Sequence, residues 1–212
     1  MSVRNVIFDW DGTLAKTLDL WLQGYQAAFE RRGHHFDPKF IASEFFHNHH
    51  EVPAKHPELK FPEIIEETRQ FVFEGLPTVE LYEGAVETLS SLKDRGKTLT
   101  LVTSSARYLI DRALNAHGLG HFFDSVVAGD DGFGHKPSTL PFVTTLERVG
   151  AKASETLVIG DSHVDIQAGQ SSGCQTCWFA PEQNILFHDF EHVKSMSPDH
   201  EISTVPELGE IM

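Results

Sequence analysis

The sequence predicts a parallel α/β sheet with helices on both faces and a small helical module inserted after the first strand. Three observations carry this. Short apolar runs that end in polar or acidic residues recur along the chain, beginning with Val6-Ile7-Phe8. Helical patterns lie between the later runs, the alternation expected of a parallel sheet. One interval is out of scale: the first run ends at Asp9 and the second begins about 90 positions later, at Thr98, roughly three times an ordinary crossover or more.

Val6 to Phe8 is too short for a helix and reads as a buried strand. Beyond it, Asp9 and Asp11 stand two apart, so in extended backbone they share a side while Trp10 points away. Gly12 then allows a sharp turn that exposes N–H groups beside both acids. Two carboxylates 4 Å apart repel by about 4 kcal/mol at an effective dielectric of about 20. A shared proton, a nearby cation or a bound metal must offset that, and a divalent ion beside a nucleophilic carboxylate is the most economical.

The surplus from 15 to 80 carries helical stripes of its own, one of Leu18, Trp21, Leu22, Tyr25 and Phe29, another of Ile64, Ile65, Phe71 and Val72. Placed after the first acidic loop, it would overhang the strand ends as a lid that excludes water and contacts a substrate. Within it His47, His49, His50 and His56 match no dedicated metal spacing and read as a solvated loop. A crossover helix over 84–95 follows, with Val86, Leu89 and Leu92 as its apolar face. Strands are expected at 98–103, 125–128, 157–160 and 175–179, and helices at 105–117 and 139–149, the latter facing inward through Phe142, Val143 and Leu146. Ile202 to Thr204 reads as a short edge strand before a closing helix. The expected division is a core of 1–14 with 81–212 and a cap of 15–80.

The net charge of −14 argues against nucleic acid and anionic membranes as partners, since no basic surplus can neutralise phosphates. Any phosphate must find positive potential locally. No apolar run reaches membrane-spanning length and no secretory signal opens the chain, so a cytoplasmic location is expected. Cys174 and Cys177 form a C-x-x-C, but the surrounding segment reads as a strand, whose geometry puts residues three apart on opposite faces; packing is the expected role.

Four strand ends deliver polar residues in order: Asp9 and Asp11; Thr103 with Ser104 and Ser105; Lys136 in His135-Lys136-Pro137; and Gly160-Asp161-Ser162-His163-Val164-Asp165. Each alone is a weak signal, because a threonine ending a strand is commonly a helix cap and a lone lysine is usually solvated. At ordered strand ends of one parallel sheet, where such folds place their sites, they together make a strong signal of a functional site.

On these motifs the chain resembles the haloacid dehalogenase superfamily, most closely its phosphoglycolate phosphatase-like branch with a helical cap on a Rossmann-like core. The resemblance implies Asp9 as nucleophile and Asp11 as general acid and then base. Thr103, Ser104 and Lys136 would bind the phosphate. Asp9, Asp161 and the backbone carbonyl of Asp11 would hold Mg2+, an ion that prefers carboxylate oxygens, with Asp165 orienting Lys136 or a metal-bound water. The implied activity is hydrolysis of a small phosphorylated metabolite through an aspartyl-phosphate, by a monomer or small homo-oligomer. A phosphomutase of the β-phosphoglucomutase type and a phospho-acceptor without turnover stand as alternatives. His135 and His163 beside the motifs, and Lys16 and Arg107 near them, are open between site and solvent.

Overall fold

Strand β1 (Asn5–Phe8) lies inside a six-stranded parallel sheet of order β3-β2-β1-β4-β5-β6. The other strands are β2 (Thr98–Val102), β3 (Ser125–Val127), β4 (Thr156–Gly160), β5 (Gln175–Phe179) and β6 (His200–Ile202). The computed structural model describes residues 3–46 and 51–212; the predicted histidine loop at His47, His49 and His50 lies outside these. The chain runs outward from β1 to β2 and β3, then jumps across β1 to β4. The strand ends at β1 and β4 therefore border a crevice, where ligands of open parallel sheets sit.

Alternation along β1 builds two cores. Val6 and Phe8 face one side, with α5 (Ala85–Asp94), α6 (Arg107–His117) and the last helix, Leu208–Ile211. Ile7 faces the other, with Val102, Val127 and Val158 under α7 (Leu140–Val149) and α8 (His163–Ser171). Near-continuous apolar strands follow from burial on both faces, which is why the short runs were legible as strands.

Two predicted helix faces are slightly rotated. Val86 and Val143 are 39% and 37% exposed; α5 buries Ala85, Thr88, Leu89 and Leu92, and α7 buries Pro141, Phe142, Thr145 and Leu146. The last strand pairs at His200–Ile202 rather than from Ile202 onward, because Cys177, Trp178 and Phe179 take those residues as partners. The two cysteines are free and buried on opposite faces, Cys177 in the first core and Cys174 in the second.

Between β1 and α5 stand α1 (Leu18–Glu30), α2 (Pro38–Phe45), α3 (Val52–Lys55) and α4 (Phe61–Gly75). They share a third apolar cluster of Leu22, Tyr25, Phe29, Ile41, Phe45, Phe61 and Ile64, tied on its outside by Arg32 to Glu63 and Glu67. The chain leaves and returns side by side: Lys16 N–H donates to the Glu80 carbonyl at 2.9 Å and Tyr82 N–H to that of Leu14 at 3.0 Å. The end of α4 rests on α6, where Arg112 Nε donates to the Phe73 carbonyl at 2.6 Å. No helix among the described residues is long and apolar enough to cross a membrane.

Leu101 is fully buried in the middle of β2, so Leu101→Ala should destabilise by about 2–5 kcal/mol and lower Tm by roughly 5–15 °C in thermal unfolding. Burial pushes the Cys174 thiol up to about 11 and Cys177 to about 12. A thiol reagent at pH 8 should therefore label neither until denaturant is added; rapid labelling of the native protein would restore a redox reading of the pair.

Candidate active site

Asp9 directly follows β1 and is buried at the floor of a cavity of about 750 Å³, counting space open to solvent. Lys136, from the loop after β3, reaches under it. Its Nζ lies 2.7 Å from Asp9 Oδ1 and 2.6 Å from Asp165 Oδ1, and the side chain is only 3% exposed. Burial acts to lower the lysine's pKa, but Asp165 and Asp9 outweigh it and the net shift is upward. The cation is fixed.

Asp165 is held by its own helix. Ser162 caps α8, and Asp165 Oδ2 accepts from Ser162 N–H at 3.3 Å and Oγ at 2.5 Å in a reciprocal capping box. The motif spacing after β4 thus sets a helix start and a lysine anchor with the same carboxylate.

Asp161, just past the end of β4, is clamped from a segment to which the sequence assigns no role. Asn184 Nδ2 donates to Asp161 Oδ2 and to the Gly12 carbonyl, both at 2.9 Å, and His188 Nε2 lies 2.8 Å from the same Oδ2. Tyr82 OH donates to Asn184 Oδ1 at 2.7 Å. Gly12 has φ +74, and a Cβ there would stand 1.9 Å from Asp161 Oδ2. Only glycine permits this approach of the acid loop to β4.

Asp11 has partners on both oxygens. Oδ1 accepts from Thr17 Oγ1 at 2.7 Å and Trp21 Nε1 at 3.0 Å; Oδ2 accepts from Ser105 Oγ at 2.6 Å and, more weakly, Thr103 Oγ1 at 3.4 Å. Sequence reasoning finds Thr103 but gives no role to Ser105, Thr17 or Trp21 here. Trp21 is visible there only as part of an apolar stripe. Ser104 is exposed and lines the cavity.

One carboxylate oxygen from each of Asp9, Asp161 and Asp165 lies within 4.8 Å of the others. Burial holds Asp9 well above the usual carboxylate range; Lys136 opposes this, while Asp165, Asp161 and Asp11 add to it. Asp161 is raised by burial too, with His188 opposing. Four carboxylates face a single lysine, so the floor has an excess of negative charge that a hard divalent cation fits. Both oxygens of Asp165 are already engaged, which leaves Asp9 and Asp161 as the better donors.

The open residues separate clearly. Arg107 pairs with Asp131 and Asp111, Lys16 with Glu80 at the surface, and His135 is exposed. His163 is half-buried, its pKa lowered first by burial and then by His192. None of these four lines the cavity.

The family model for haloacid dehalogenase-like hydrolases matches residues 6–179. Pyrophosphatase PpaX of Bacillus cereus (strain AH820) is 35% identical over 186 residues, covering 83% of this chain and 82% of that protein. Among solved structures, CbbY of Rhodobacter sphaeroides in complex with xylulose-(1,5)bisphosphate aligns with TM-score 0.83 at 17% identity, over 98% of this chain and 97% of its own. The hydrolase YfnB of Bacillus subtilis, bound to magnesium, aligns with TM-score 0.80 at 24% identity, over 100% and 99%. These two likenesses show the fold.

Asn184→Leu keeps the side-chain size but removes the donors to Gly12 and Asp161 and the acceptor for Tyr82. It should destabilise by about 3 kcal/mol, lowering Tm by roughly 6–12 °C, whereas Tyr82→Phe should cost only about 1 kcal/mol. Equal losses in the two variants, measured by thermal unfolding, would show that Asn184 is not the centre of this clamp.

Proposed function

The chain belongs to the haloacid dehalogenase-like hydrolases, and from that premise we propose a Mg2+-dependent phosphatase that cleaves a small phosphorylated metabolite through phosphorylated Asp9. One observation carries the reading: Lys136 sits between Asp9 and Asp165 at the sheet's end, beside Asp161. Such a lysine holds the attacking carboxylate in place and offsets charge on the incoming phosphate.

Residues 1–14 and 81–212 form the catalytic core in this reading, and 15–80 the cap. Asp9, Asp161 and the carbonyl of Asp11 would hold Mg2+, which when bound neutralises charge on the phosphoryl oxygens. A carboxylate oxygen of Asp9 forms a bond to phosphorus as the ester P–O bond breaks, and Asp11 gives its proton to the leaving oxygen. Asp11 then takes a proton from water; the water oxygen bonds to phosphorus, and the Asp9–phosphorus bond breaks to release orthophosphate. Thr103 and Ser104 hydrogen-bond the phosphoryl oxygens in transit. Ser105, bonded to Oδ2 of Asp11, keeps that acid aimed. The enzyme acts in the cytoplasm, as a monomer or small homo-oligomer.

Phosphoglycolate represents the substrate class, and the PpaX relatives add inorganic pyrophosphate as a second candidate. A panel of both, with sugar phosphates and p-nitrophenyl phosphate, should show phosphate release that stops on chelation and returns with Mg2+. Asp9→Asn should lower kcat by about a thousandfold or more without shifting Tm appreciably. Full activity in that variant, or release indifferent to Mg2+, would refute the reading.

A further inference from the structure

The helices inserted after β1 supply much of the remaining lining of the cavity. Leu18, Trp21 and Tyr25 of α1 and Phe46 make it largely apolar, and Arg69 of α4 joins them. Arg69 is half-buried and, among the described residues, takes part in no ion pair or hydrogen bond. Its neighbours differ. Arg32 binds Glu63 and Glu67, Arg31 binds Glu67, and Arg112 donates to the Phe73 carbonyl. An unpartnered guanidinium on a partly apolar wall is costly, because it loses hydration without a counter-ion.

We propose that Arg69 selects substrates carrying a second anionic group, a carboxylate or a second phosphate, beyond the bond that is cleaved. The proposal rests on the phosphatase reading and names its specificity. Among the described lining residues Lys136 is the other lysine or arginine, held by Asp9 and Asp165, and His188 is engaged with Asp161. A second anion therefore finds no other unengaged positive side chain among the described lining residues. With a net charge of −14 and four acids at the floor, the protein repels a multiply charged ligand unless a local cation receives it. The planar guanidinium fork suits both a carboxylate and a phosphate, and the apolar surroundings strengthen the pairing.

The test compares kcat/KM, with Mg2+ present, for phosphoglycolate and inorganic pyrophosphate against ethyl phosphate, whose leaving group is neutral. Arg69→Met should lose about a hundredfold on at least one of the two doubly anionic substrates while ethyl phosphate changes less than about threefold. Arg69→Lys should recover part of the loss. The substrate showing the larger loss identifies the second anion as carboxylate or phosphate. Inhibition by phosphonoacetate, read on ethyl phosphate turnover, should weaken in Arg69→Met, while inhibition by methylphosphonate stays unchanged; this checks the carboxylate arm through binding. Equal losses on all three substrates, or none, would overturn the role of Arg69 alone, provided ethyl phosphate is still turned over through Asp9. If wild-type protein hydrolyses no phosphate ester, the phosphatase reading falls and this proposal with it.

Discussion

The bridge from Lys136 to Asp9 and Asp165 is the constraint on which the rest of the site depends. Asp9, Asp161 and Asp165 are buried together, which without a cation would cost several kcal/mol for each ion. The lysine joins three parts of the chain: the end of β1, the loop after β3 and the first turn of α8. Removing the lysine would leave the acids uncompensated, so the loop after β3 is fixed by the charge it delivers as much as by packing. A strand end, a loop lysine and a helix cap become one electrostatic unit. The parallel sheet brings these parts together without distortion, since β1 and β4 end side by side where the strand order changes direction.

A second junction ties the inserted helices to the same floor. Phe187, from the tail of the chain, packs within the α1–α4 apolar cluster and meets Phe46 at 5.2 Å between ring centroids. The next residue, His188, holds Asp161, and Asn184 of the same segment holds Asp161 and Gly12. One short stretch thus grips the insertion by hydrophobic contact and the acid cluster by hydrogen bonds. Tyr82, where the chain returns from the insertion, closes the circuit through Asn184. Displacement of the insertion would pull on Phe187 and be felt at the next residue, His188, and through it at Asp161.

The parts of this fold that were legible in the sequence share a cause. Strands buried on both faces read as unbroken apolar runs, so Val6-Ile7-Phe8 and Leu157-Val158-Ile159 announced themselves, and the polar residues that end them came with them. The insertion was legible from an interval too long for a crossover. Contact between segments distant in sequence escaped. Asn184 and His188 lie in a tail with neither helical nor strand periodicity, and nothing local says that they meet Asp161 more than twenty positions earlier. Trp21 looked like core because its neighbours are core, yet its indole N–H reaches Asp11. Val86 and Val143 were misassigned because helices at the sheet surface bury a stripe whose rotation is set by the sheet, not by the helix alone.

Asp11 is a carboxylate lodged between two units of the chain. One oxygen is held by Thr17 and Trp21, at the root and first turns of the insertion; the other is held by Ser105 and Thr103, on the loop after β2. In the proposed reaction Asp11 passes a proton to the leaving oxygen, and for that it must exchange at least one of these partners when substrate arrives. Thr17, Ser105 and Thr103 are hydroxyls that can rotate from donor to acceptor, whereas the Trp21 indole can only donate. The exchange is therefore easiest at the core side, and Oδ1 remains committed to the insertion. The aim of Asp11 is in that way made to depend on where α1 sits, so that one helix both lines the cavity and orients this acid.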